Sequence, residues 1–258
     1  MAQLRYYLTA IFFGRFYFPL HFSTQSCTNL LWKSLTKAIT IFNNKKDHYH
    51  VSDQSINFPF PSWFQKANYE DPNFQVNMPI FSIHGNHDDP AGDGRLAALD
   101  VVATANLVNY FGQADNIDDI TVYPILFEKG TTQVAVYGLG NIRDERLYHT
   151  FQQKKVRFLN PTAESGEWFK IFVLHQNRVH RAQKNCIQEQ MIPDMFDVVI
   201  WGHEHECRIT PEQSSISSYH IIQPGSSVAT SLCESESRPK HVVSWKLKER
   251  NGVFIPSD

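Results

Sequence analysis

The chain has 258 residues, of which 42% are hydrophobic and 19% charged. That is enough to bury a sizeable core, and it excludes a wholly disordered protein. A formal net charge of −2 excludes attachment to nucleic acid through overall charge and leaves local patches as the only route. The four cysteines, Cys27, Cys186, Cys207 and Cys233, show no CxxC spacing and read as scattered reduced thiols of an intracellular protein.

The first 50 residues differ from the rest. The aromatic run Tyr6 to Phe22 follows Arg5, but Arg15 interrupts it and Pro19 breaks it. It therefore reads as a divergent terminus rather than a leader or membrane span. No Asp or Glu precedes Asp47. From about residue 51 to 258 the pattern becomes that of one catalytic domain.

"MPIFSIHG" (78–85) predicts a buried strand bounded by Pro79 and Gly85. "GRLAALDVVATANLV" (94–108) carries apolar residues at helical spacing. Strands are expected near 121–128 and 132–138, around the turn residues Lys129-Gly130. "DERLYHTFQQKK" (144–155) has acids at its start and lysines at its end, which suits a helix dipole. "WFKIFVLHQN" ends an apolar run at His175, and "FDVVIWGHEHE" ends another at Gly202, His203, Glu204 and His205. "SYHIIQPGSS" and "HVVSWKLKE" complete the strands. Strands mixed with helices predict an α/β fold with polar residues gathered at strand ends.

Three apolar strands thus end in an amide or imidazole. Asn86, His175, His203 and His205 offer a mixed oxygen and nitrogen donor set, which suits manganese, iron or zinc and disfavours a thiolate zinc site. His203 and His205, one residue apart, are spaced to face neighbouring ions about 3.5–4 Å apart, as in two-metal phosphoesterases. His87 stands next to a ligand and is placed to donate a proton or hydrogen bond to a phosphoryl or leaving oxygen. Asp88 is a candidate to orient an imidazole. Gly85 and Gly202 sit just before the clusters, where the backbone needs either positive φ or close approach. His84, His149, His180, His220 and His241 lack such context and read as structural or surface residues, and Lys45-Lys46 as a solvated pair.

"GNHD" followed later by "GHEH" resembles the calcineurin-like metallophosphoesterase superfamily. "SDQSINF", "PIFSIHGNHDDP", "YGLGNIRDERLY", "FVLHQNR", "DVVIWGHEHECRI" and "QPGSSVATSL", in that order, narrow the resemblance to the meiotic-recombination-eleven family of double-strand-break repair nucleases. The resemblance implies a four-layer α/β/β/α sandwich and a Mn2+-dependent nuclease with 3′-to-5′ exonuclease and endonuclease activity. It also implies a nuclear location, a homodimer, DNA as substrate, and a coiled-coil ABC-type ATPase and nibrin-like scaffold as partners. Carried over residue by residue, Asn86, His175 and His203 match ligands of one manganese and His205 a ligand of the other. His87 matches the catalytic histidine.

Two upstream motifs of that family, an Asp-x-His pair and a bridging Gly-Asp, have no counterpart. Gly14-Arg15 carries a cation near the place of the second, and Asp53 belongs to the matched "SDQS". The expected fold accordingly lacks its first strand and crossover. The expected origin is a truncated gene model or partial isoform, with hydrolysis impaired. The alternatives are a non-catalytic assembly protein or another metallophosphoesterase of small substrates.

Overall fold

The computed structural model describes residues 79–129, 132–161, 168–178, 186–227 and 231–241, together with 8–10, 50–51, 67–71, 73, 229 and 243–245. Cys27, His180, Lys45-Lys46 and most of Tyr6 to Phe22 lie outside the described residues.

The architecture is α/β, as expected. Thirteen strands and two α-helices are described: β1 (Leu8–Ala10), β2 (His50–Val51), β3 (Phe81–Ser82), α1 (Ala98–Thr104), β4 (Asn109–Tyr110), β5 (Ile120–Val122), β6 (Ile125–Lys129), β7 (Thr132–Leu139), α2 (Asp144–Gln152), β8 (Val156–Phe158), β9 (Phe169–His175), β10 (Val198–Gly202), β11 (Arg208–Gln213), β12 (His220–Gln223) and β13 (Val243–Trp245). Seven strands form one sheet in the order β11-β12-β10-β9-β7-β6-β2. Its centre is parallel, with β7, β9, β10 and β12 running together, and its flanks are antiparallel. Two-stranded pairs join β3 to β4, β5 to β8, and β1 to β13.

The central strands are continuous apolar runs because both their faces are covered. Along β9 and β10, Phe172, Leu174, Val199 and Trp201 enter one buried cluster with Tyr137, Phe196 and Tyr219. The alternate residues Ile171, Val173, Val198 and Ile200 enter a second. The polar tips of the large aromatics are satisfied within the first cluster. Trp201 Nε1 donates to the Gln176 carbonyl at 2.8 Å, Tyr137 Oη to Leu159 at 2.8 Å and Tyr219 Oη to Glu189 at 2.8 Å.

Parallel register positions the site. Gly202 at the end of β10 pairs with His175 at the end of β9. The same side of the sheet receives the exit of β7, where the Gly140 N–H donates to the Gly112 carbonyl and the Asn141 N–H to the His84 carbonyl. These bonds bring the residues after β3 alongside the ends of β7 and β9.

Candidate metal centre

His175 Nε2 lies 3.2 Å from Asn86 Oδ1. The His175 and His203 rings stand edge to face, with centroids 5.2 Å apart at 78°. Two ligand atoms on one ion at right angles, with bonds of about 2.1 Å, are separated by about 3 Å. The amide and imidazole therefore already hold the separation of two ligands of one cation. A proton on Nε2 lets the pair bind each other, and a divalent ion would take the place of that proton.

Two glycines make room for His175. A Cβ on Gly85 would sit 2.8 Å from His175 Cε1 and 2.9 Å from Nε2, and one on Gly202 would sit 3.0 Å from Nδ1. Neither glycine is among those with positive φ, so close approach is the constraint at both. The left-handed backbone falls on His203 itself, with φ of 84°. A non-glycine residue held there stores about 1–3 kcal/mol of strain, a feature that concentrates at functional sites. No pattern in the sequence marks it.

Burial first, and then the like charge of His203, His84, His87 and His205, pushes the His175 imidazole from 6.5 down to about 3. It is neutral at pH 7, the form that ligates metal. In the unfolded chain the ring titrates near 6.5, so between these two values the unfolded state binds the extra proton and acid favours unfolding. The urea midpoint is expected to fall as pH drops from about 7 to about 4, and to fall less steeply in His175→Gln. Parallel pH profiles for the two proteins would contradict this.

The surrounding loops are tied from several directions. Glu204 Oε1 accepts the Arg178 N–H at 2.8 Å, joining the loop after β9 to the loop after β10. Asn141 Nδ2 donates to the His175 carbonyl at 3.1 Å. His84 is buried, with Nε2 3.0 Å from the Asn141 carbonyl and Nδ1 2.8 Å from Tyr110 Oη. Asp88 accepts the Gly85 N–H at 2.9 Å and so closes the turn that presents Asn86 and His87. Burial raises the Asp88 carboxyl, against the pull of that N–H. Asn86 and His87 are exposed at the mouth of the site.

His205 is placed differently. Its Nδ1 lies 2.8 Å from Oε1 of Glu236, a buried residue absent from the expected donor set. Among the described residues, no three His, Cys, Asp or Glu side chains stand together as a metal cage. The convergence is of one amide and two imidazoles, and His205, which acts on His175 through its charge, is hydrogen-bonded to Glu236. This donor set fits one divalent ion on Asn86, His175 and His203. Among the described residues, His205 is the predicted ligand left for a second ion. A cleft of about 590 Å³ opens beside His84 and Asn141, but it is lined by none of the four candidate ligands and is not the metal centre.

A calcineurin-like phosphoesterase family model matches residues 32–207. The chain is 50% identical over 230 residues to the double-strand break repair protein MRE11 of Arabidopsis thaliana, covering 83% of this chain and 32% of that protein. It is 49% identical over 200 residues to the human protein of that name, covering 78% and 28%. It is 51% identical over 191 residues to the double-strand break repair protein mus-23 of Neurospora crassa, covering 74% and 26%. The chain spans between a quarter and a third of the length of these curated relatives.

Proposed function

Because the chain belongs to the calcineurin-like phosphoesterase family, we propose that it is the phosphoesterase core of a Mn2+-dependent DNA nuclease of double-strand break repair, impaired in hydrolysis. The observation that carries this reading is the convergence of Asn86, His175 and His203 at the ends of separate chain segments. Its relatives are repair proteins by name, and the strings "GNHD" and "GHEH" occupy the converging loops.

Asn86 Oδ1 and the imidazoles of His175 and His203 would hold one divalent ion. Such an ion, when bound, supplies Lewis-acid polarisation of a phosphoryl oxygen. His87, exposed and adjacent to Asn86, donates a hydrogen bond or proton to the phosphoryl or leaving oxygen. Every matched donor is neutral. Two divalent ions about 4 Å apart repel by about 16 kcal/mol even at an effective dielectric near 20. Among the described residues no group of three His, Cys, Asp or Glu side chains stands there to offset that repulsion, so the reading is of a single ion.

The substrate of this reading is DNA, cut by slow exonucleolytic and endonucleolytic hydrolysis. Its setting is the nucleus, in a homodimer bound to a coiled-coil ATPase and a nibrin-like scaffold. No described helix is long and apolar enough to cross a membrane. With Mn2+ and duplex DNA, wild type is expected to release nucleotides slowly and Asn86→Ala to release none. Equal release by both would reject the reading. The neutral donor set also favours a second reading, a non-catalytic member of the repair complex. That reading predicts co-purification with a full-length copy and no release from DNA.

A further inference from the structure

Glu204 is the acidic residue of "GHEH", between His203 and His205. The segments that carry His175 and His203 are joined on both sides of His203. Before it, Trp201 Nε1 donates to the Gln176 carbonyl at 2.8 Å, and Gly202 pairs in register with His175. After it, the Glu204 side chain turns back and Oε1 accepts the Arg178 N–H at 2.8 Å. Residues 201 and 204 are thus both tied to the stretch 176–178. The chain between them has to reverse within Gly202 and His203, and the left-handed backbone falls on the histidine, with φ of 84°. A non-glycine residue stays in that region only where its surroundings over-determine it.

Arg178 gives the second tie a fixed base. Its Nη1 donates to Gln223 at 3.1 Å, and its Nη2 to Glu189 at 3.3 Å and Glu212 at 3.4 Å. Its Cζ lies 5.8 Å from the centre of the Trp201 ring, within the range of cation–π attraction. The side chain is therefore held from β10, β11, β12 and the turn at Glu189, and is only 16% exposed. Its backbone N–H is offered to Glu204 from a residue anchored in the sheet. A carboxylate accepting such an N–H makes a charge-assisted bond, stronger than one between neutral groups.

We propose that Glu204 is a positioning residue, whose bond to the Arg178 N–H holds His203 in the left-handed conformation that turns its imidazole toward His175. The proposal rests on the metal-site reading above and deepens it. A merely solvated loop glutamate would leave the sign of φ at His203 indifferent to its replacement.

The test is amide NMR of the full chain, with Zn2+ titrated as a diamagnetic probe, in wild type, Glu204→Gln, Glu204→Ala and Glu204→Asp. The Overhauser effect from the His203 N–H to its own Hα is strong at positive φ and weak in extended or right-handed helical backbone. Wild type and Glu204→Gln, whose amide oxygen still accepts the Arg178 N–H, should show the strong effect and similar Zn2+ midpoints. Glu204→Ala and Glu204→Asp, whose carboxylate is drawn back by one bond, should lose it and require about 10–100-fold more Zn2+. The amide signals of β9 and β10 should stay in place. Glu204→Asp keeps the charge and serves where Glu204→Ala does not fold. A strong effect with the wild-type midpoint in either short variant, or a Glu204→Gln as weak as Glu204→Ala, would overturn the proposal. Loss of the strong effect in the short variants without any Zn2+ response in wild type supports the role of Glu204 and counts against the metal-site reading alone.

Discussion

Gly140→Ala is expected to destabilise the protein by about 3–5 kcal/mol and to displace the loop that carries His175, a candidate metal ligand. The new Cβ would fall within the ring of His84, which is buried and held on both sides by Asn141 and Tyr110. The backbone has little freedom to retreat, because the Gly140 N–H is bonded to the Gly112 carbonyl. The ring must leave. That adds an overpacking cost of about 1–3 kcal/mol to about 1–3 kcal/mol for each buried polar group left without a partner. Asn141 also holds the His175 carbonyl, so the displacement reaches the ligand loop. Urea denaturation and Zn2+ titration measure the two effects. A variant within about 1 kcal/mol of wild type would show that His84 is not locked between β4 and the end of β7.

Phe172→Ala is expected to cost about 3–5 kcal/mol, from lost burial and the cavity left behind. Phe172 is 0% exposed in the middle of β9. It stacks on Phe196 at 5.1 Å and meets Phe158 edge to face at 5.1 Å. Its strand neighbours Tyr137 and Val199 lie in the same cluster. Such a loss is a large part of the stability of an ordinary domain. Phe172→Leu should retain more than half of it by keeping the cavity small. Equal midpoints for the two variants would contradict this packing.

The strands that carry the chemistry were legible because burial on both faces writes them as unbroken apolar runs. β9 and β10 emerge at the expected places, Phe169–His175 and Val198–Gly202. The helix α2 spans Asp144–Gln152, stopping short of the lysines. β11 escaped notice because Pro211 and its alternating exposed residues disguise an edge strand with a register shift. β4 and β8 are too short, at two and three residues, to show a period.

At the site, residue types and strand ends pointed to Asn86, His175 and His203, and the three converge. The same signals pointed to His205 as a ligand of a neighbouring ion, and in the fold its Nδ1 meets Glu236. Glu236 left no trace in "CESES", where three acidic or polar neighbours look equally solvated. Its contact with His205 joins residues 31 positions apart. The strain at His203 was hidden for a related reason. The two flanking glycines drew attention to backbone freedom, yet they serve side-chain clearance and the histidine takes the left-handed conformation.

Electron paramagnetic resonance titration with Mn2+ tests the central claim most directly. One weak site, lost in Asn86→Ala, is the result expected of a single ion on an amide and two imidazoles. Two tight, coupled sites, or one that survives Asn86→Ala, would contradict it.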